Sequence, residues 1–140
     1  MLCEQVMKRH VRSVNEEDSA GSAAKLMRDA NVGFLPVCSM DGTVVGTITD
    51  RDIVVRLAAD DGDLETRVSE LMTREVVSCR PKDDLSRAEK LMEQRQKARI
   101  VCTDDKGRPL GIISLSDIVQ HEDAARVGTM LRNITRREVH

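Results

Sequence analysis

Two short stretches hold the residue types best suited to binding chemistry: Gly46-Thr47-Ile48-Thr49-Asp50-Arg51-Asp52 and, 65 residues on, Gly111-Ile112-Ile113-Ser114-Leu115-Ser116-Asp117. Each leaves an apolar run through hydroxyl side chains and meets an aspartate where a helix is predicted to begin. A hydroxyl and the first backbone N–H groups of a helix can hold a phosphate, because those amides have no intrahelical acceptor and the helix dipole favours an anion. An aspartate there repels phosphate, yet its carboxylate accepts from both hydroxyls of a ribose diol. Hydroxyl plus aspartate three residues later therefore suits a nucleotide, with phosphate on one side and sugar on the other. Arg51 adds a cation with bidentate geometry for phosphate. The same residue types also serve plain helix capping, for which Ser, Thr and Asp are preferred. Recurrence in one register, beside glycines that end strands, favours binding; capping stands as the alternative.

The recurrence runs through most of the chain. Shifted by 65 residues, Met7, Arg9, Asp18, Ala23, Leu26, Met27, Gly42, Gly46, Ile48, Asp52 and Ile53 meet Met72, Arg74, Asp83, Ala88, Leu91, Met92, Gly107, Gly111, Ile113, Asp117 and Ile118 without a gap. One supersecondary unit is used twice, and two copies are too few for a solenoid, which predicts a pseudo-symmetric pair closing one core. Each copy reads strand, helix, strand, strand, helix. In the first, Val11–Val14 is extended, and Ala23, Leu26, Met27 and Ala30 follow at helical spacing with Asp18 or Ser19 as N-cap. Phe34–Cys38 is of strand length, and Pro36 suggests an edge position. Asp41-Gly42 turns the chain into Val44–Ile48, a hairpin, before a helix that starts near Asp52 and carries Ile53, Val54 and Leu57. The second copy repeats this with Val76–Cys79, Leu85–Met92, Ile100–Cys102, the Asp105-Lys106-Gly107 turn, Leu110–Ser114 and a helix from Asp117. These readings divide the chain into repeat 1 (1–57), an acidic, solvated linker (58–67), repeat 2 (68–122) and a tail (123–140). In the tail, Val127, Leu131 and Ile134 fall on one helical face, which predicts a packing or dimer-contact helix.

Composition narrows the function classes. The chain has 140 residues, 33% charged and 40% hydrophobic, which fits one globular domain or two small interdependent units. A net charge of −2 gives no global field to attract nucleic acid or anionic lipid. Arg126, Arg132, Arg136 and Arg137 are nearly balanced by Glu122, Asp123 and Glu138, and Phe34 is the only aromatic residue, which argues against nucleic-acid binding. No apolar run approaches a membrane span and Met1–His10 lacks the apolar core of a signal peptide, so a cytoplasmic location is expected. Cys3, Cys38, Cys79 and Cys102 form no CxxC pair, so no metal site is expected and the thiols read as reduced, with Cys38 and Cys102 buried. His10, His121 and His140 are scattered and no nucleophile–base grouping can be assembled, so no catalytic residues are assigned and the chain is not expected to be an enzyme.

The run Val32-Gly33-Phe34-Leu35-Pro36-Val37, the Asp41-Gly42 turn and Gly46–Ile53 resemble the CBS-domain superfamily, as do Ala98–Val101, Lys106-Gly107 and Gly111–Ile118. The resemblance covers roughly residues 3–120 and is to a stand-alone tandem pair, the Bateman module. It implies an α+β fold of two β-α-β-β-α repeats packed as a pseudo-twofold pair, sheets inside and helices outside, often assembled as a homodimer. It also implies adenine-nucleotide binding in two clefts between the repeats, with AMP, ADP or ATP as ligands and S-adenosylmethionine or a cyclic dinucleotide as lesser candidates. Carried over to these residues, one cleft has Thr49 and Arg51 on phosphate, Asp52 on ribose, and Val76, Val77, Lys97 and Ala98 around the base. The other has Ser114 and Ser116 on phosphate, Asp117 on ribose, Arg99 as cation, and Val11, Val32 and Gly33 as the adenine wall. Arg51 becomes Ser116 and Phe34 becomes Arg99 across the shift, so two unequal sites are expected; Arg99 could instead pair with Asp104 or Asp105.

The expected function is a non-enzymatic nucleotide sensor, needing no cofactor, that signals by rearrangement to a separate effector protein. A ligand-free dimeric interaction module is the alternative. A DNA-associated regulator acting through the C-terminal arginines is the weakest reading.

Overall fold

A computed structural model describes residues 1–136, so Arg137, Glu138 and His140 lie outside the described residues. Within the described residues, five α-helices and six strands follow in the order β1 (Val14–Asn15), α1 (Ala20–Ala30), β2 (Phe34–Cys38), β3 (Val44–Thr49), α2 (Asp50–Arg56), β4 (Ser78–Cys79), α3 (Leu85–Arg95), β5 (Arg99–Thr103), β6 (Pro109–Ser114), α4 (Leu115–Val119) and α5 (Ala124–Thr135). The strands form two three-stranded sheets, β1-β2-β3 and β4-β5-β6, each with its short first strand parallel to the centre and its hairpin partner antiparallel. This is the β-α-β-β-α pattern, twice. Gly42 and Gly107 turn the two hairpins at φ of 86° and 78°, conformations open to glycine and strained for other residues.

Pro36 does not mark an edge strand. It sits in β2, the centre of its sheet, opposite Thr47 of β3. It is tolerated because β1 is two residues long and pairs only with Val37 and Cys38, so no ladder partner stands opposite Pro36 on that side.

The chain divides into two compact units that do not coincide with the two sequence copies: Arg12–Val76, and Met1–Val11 together with the chain from Val77 onward. Each unit buries its own apolar cluster. In the Arg12–Val76 unit, Val14, Ala23, Met27, Leu35, Val37 and Ile48 are joined by Val68, Leu71 and Met72, which lead the second copy. In the other unit, Ala88, Met92, Ile100, Cys102, Ile113 and Ile118 are joined by Cys3, Val6 and Met7, which lead the first. Each leading segment begins as a short 3-10 turn, Cys3–Gln5 or Val68–Glu70. It then bridges to a sheet: Lys8 exchanges backbone hydrogen bonds with Ile112 at 2.9 and 3.0 Å, and Thr73 does so with Thr47, both at 2.9 Å. Gly46 and Gly111 make this possible, because a Cβ on Gly46 would lie 2.6 Å from the Thr73 carbonyl and one on Gly111 2.9 Å from the Lys8 carbonyl.

The helices follow their sequence signals, with adjustments at their ends and faces. Ser19, not Asp18, caps α1, its hydroxyl accepting from the Ser22 N–H at 3.1 Å, while Asp18 accepts from Asn15. The linker, though exposed, also ties down this helix: the carbonyls of Thr66 and Leu64 accept from Ala20 and Gly21 at 2.7 and 2.9 Å, two of the donors a helix start leaves open. On α5 the buried residues are Met130 and Ile134, and Leu131 is half exposed. On α2, Val54 and Val55 face outward while Leu57, just past its end, is buried.

Candidate functional site

β3 and β6 each end in a hydroxyl residue that becomes the N-cap of the next helix, and the aspartate three residues on lies inside the first turn. The helices thus begin at Asp50 and Leu115, earlier than the spacing suggested. Thr49 and Asp52 form a reciprocal cap. Asp52 N–H donates to Thr49 Oγ1 at 3.1 Å, and Thr49 N–H donates to Asp52 Oδ2 at 2.9 Å. Ser114 and Asp117 repeat it at 3.2 and 2.9 Å. This reciprocal arrangement satisfies two donors that the short helices would otherwise leave open. Capping is therefore a role these residues fill; binding must use what capping leaves over.

What is left over differs between the two. Thr49 donates its hydroxyl hydrogen to no acceptor among the described residues, whereas Ser114 donates to Asp117 Oδ2 at 2.8 Å and lies 2.7 Å from the Ser116 hydroxyl. Each aspartate keeps Oδ1 out of the cap. Asp52 Oδ1 is 3.8 Å from Arg56 Nε, and Asp117 Oδ1 is 3.5 Å from Lys8 Nζ. Both carboxylates are largely but not fully covered, with 15% and 11% of the side chain exposed. A carboxylate oxygen with a cation beside it and open lone pairs can accept from a sugar hydroxyl.

The remaining candidates fall into the two units. Val32, Gly33, Thr49, Arg51, Asp52 and Val76 belong to Arg12–Val76; Val11, Val77, Lys97, Ala98, Arg99, Ser114, Ser116 and Asp117 belong to the other. The Gly33 carbonyl accepts from Asp50 N–H at 3.0 Å, and the Ala98 carbonyl accepts from Leu115 N–H at 2.8 Å. A Cβ on Gly33 would lie 2.7 Å from Asp50 Oδ2, so glycine lets that side chain lie close to the strand. Arg51 and Ser116 are exposed on the first turns of their helices, and Val32, Val76, Val77 and Lys97 are at least partly exposed. Arg99 stands opposite Ser114 across β5 and β6 and makes no ion pair among the described residues. Asp104, one of its suggested partners, instead binds Arg108 at 2.8 Å. Arg56 and Lys8 were not among the sequence candidates. Arg56 was legible as an i, i+4 partner of Asp52; Lys8 lies in the far leading segment, and no local spacing connects it to Asp117.

The CBS-domain family model matches residues 3–59 and 68–123, and the chain belongs to this family, with two CBS domains in tandem. It is similar to the CBS domain-containing protein YhcV of Bacillus subtilis (strain 168), 36% identical over 135 residues that are 96% of this chain and 95% of that protein. It also matches a homoserine O-acetyltransferase of Methanocorpusculum labreanum, 34% identical over 125 residues, but these span only 25% of the enzyme. Among solved structures, the CBS domain protein TA0289 of Thermoplasma acidophilum superposes with a TM-score of 0.83 at 22% identity over 97% of this chain and 77% of its own. The CBS pair of protein MJ0100, solved with 5′-methylthioadenosine and S-adenosyl-L-methionine, gives 0.76 at 25% identity over 86% of this chain and 94% of its own. CBSX2 in complex with AMP gives 0.73 at 23% identity, covering 85% and 93%. Among the described residues no helix is long and apolar enough to cross a membrane.

Proposed function

We propose that this protein is a non-enzymatic regulatory module that binds adenine nucleotides of the AMP, ADP or ATP class at its two helix starts. The observation that carries this reading is the doubled reciprocal cap in which each aspartate retains an oxygen for a ligand. The adenosine compounds bound by MJ0100 support an adenosine-containing ligand. Thr49, with its uncommitted hydroxyl hydrogen, and the exposed Arg51 serve phosphate, and Asp52 Oδ1 serves ribose. Around Asp117 the Ser114 hydroxyl is already engaged, so this site is the weaker of the two. Ligand acts by differential affinity for two conformations, and a tenfold preference supplies about 1.4 kcal/mol of bias. A separate effector protein reads the bias, and Val54 and Val55, exposed on α2, favour assembly of the module as a homodimer or its docking to that effector.

Isothermal calorimetry with AMP, ADP, ATP and S-adenosylmethionine on the Asp52→Asn and Asp117→Asn variants tests the assignment. Asparagine keeps an oxygen for the cap but replaces the ribose acceptor by an amide donor, so affinity at the altered site should fall by about 1–3 kcal/mol. Unchanged affinity in the double variant would rule out these aspartates as ribose ligands.

A further inference from the structure

Asp52 is held at both carboxylate oxygens. Oδ2 accepts from the Thr49 N–H at 2.9 Å, and Oδ1 faces Arg56 Nε at 3.8 Å. At that separation the second contact is an ion pair and not a hydrogen bond, so Oδ1 keeps its lone pairs for a ligand. Arg56 is itself held at its other end, where Nη1 donates to the carbonyls of Leu71 and Met72 at 2.9 and 3.2 Å. An i, i+4 ion pair with a half-exposed arginine contributes little alone. The two carbonyls change that, because a planar guanidinium fixed at Nη1 presents Nε in one place.

The anchor is buried backbone. Leu71 and Met72 belong to the apolar core of the Arg12–Val76 unit, and Thr73 beside them exchanges backbone hydrogen bonds with Thr47, two residues before Thr49. Asp52 is thus clamped by the cap on one side and by a strut from the leading segment on the other. The Asp117 site is built differently. The residue 65 places on from Arg56 is His121, and the cation beside Asp117 is Lys8, with 77% of its side chain exposed. An exposed ammonium on a four-carbon stem holds a carboxylate less firmly than an anchored fork.

We propose that Arg56 is a positioning residue that makes the Asp52 site selective for an intact ribose diol. This rests on the reading of Asp52 as a ribose ligand. A carboxylate free to turn must be ordered when the sugar binds, and that entropy loss is subtracted from the hydrogen bonds to the two hydroxyls. Arg56 fixes the carboxylate beforehand, so its effect reaches the ligand only through the ribose hydroxyls.

The test is calorimetry with AMP and 2′,3′-dideoxyadenosine 5′-monophosphate, each titrated into full chains carrying Asp117→Asn so that the Asp52 site is measured alone. With Arg56 present, AMP should bind about tenfold tighter than the dideoxy compound. Arg56→Met should cut this preference to about threefold or less by weakening AMP, with the dideoxy affinity within about twofold of its former value. Arg56→Lys keeps the charge without the fork and should behave like Arg56→Met. Each preference is a ratio taken within one protein, so a loss of folded fraction cancels, and either variant decides if the other does not fold. A preference that survives both substitutions, even with both nucleotides weakened, would overturn the positioning role and leave the ribose assignment standing. No preference with Arg56 present, or no binding of either nucleotide, would remove the ribose assignment and this proposal with it.

Discussion

Thr49 and Ser114 occupy one position of the duplicated motif and cap their helices alike, yet only Thr49 keeps its hydroxyl hydrogen uncommitted among the described residues. The difference follows from what surrounds each side chain: Ser114 donates to Asp117, which Lys8 also approaches. Glycine positions were legible only in part. Gly46 and Gly111 recur in sequence, which marked them as strand punctuation, but the reason for them is a backbone carbonyl arriving from the other copy. Gly46→Ala forces a methyl to within 2.6 Å of the Thr73 oxygen, so the bridge must shift. Urea unfolding should show a loss of about 1–3 kcal/mol. A loss below a few tenths would mean that the segment carrying Thr73 is not held against β3.

At the scale of elements, alternation, turn chemistry and helical spacing gave the right number and order of strands and helices. Their ends and faces were less legible. Tertiary partners decide them, as with α5, where Met130 rather than Leu131 is buried. The seam between α3 and α5 also contains a feature that no spacing suggested. Glu89 is 2% exposed; its Oε1 lies 3.4 Å from Arg126 Nε, while Oε2 has no hydrogen-bond donor. Arg126 also binds Glu93, which in turn accepts from Asn133. Burial, and then the neighbouring Glu122 carboxyl, push Glu89 above its ordinary value of 4.5, against the opposing pull of Arg126. A carboxyl whose folded pKa is raised stabilises the fold fully below its unfolded value, and this contribution is lost as pH rises through the folded value. The melting temperature of the wild type should therefore fall relative to Glu89→Gln as pH rises from about 4 to 8. Parallel curves would show that Glu89 does not take up a proton on folding.

For the whole molecule, the consequential feature is the exchange of leading segments between the copies. Each sheet is completed by a segment that precedes the other copy's strands, so neither copy has its full core from its own residues. Deleting residues 1–8 removes Cys3, Val6 and Met7 from one cluster and takes away the acceptors of the Ile112 and Leu85 amides. Hydrogen exchange should quicken in β6 and at the start of α3, with smaller changes within Arg12–Val76. Uniform acceleration, or none, would contradict the assignment of this segment to its unit. By itself, the sequence determined the duplication, the β-α-β-β-α order of each copy and the hydroxyl–aspartate pairs, because these depend on local spacing and on residue types that act within one turn. The tertiary structure alone decided that Lys8 stands beside Asp117, that three distant thiols share one core, and that each copy borrows its neighbour's leading segment. Those outcomes are set by which surfaces bury each other, and burial between distant segments leaves no periodic trace in either one.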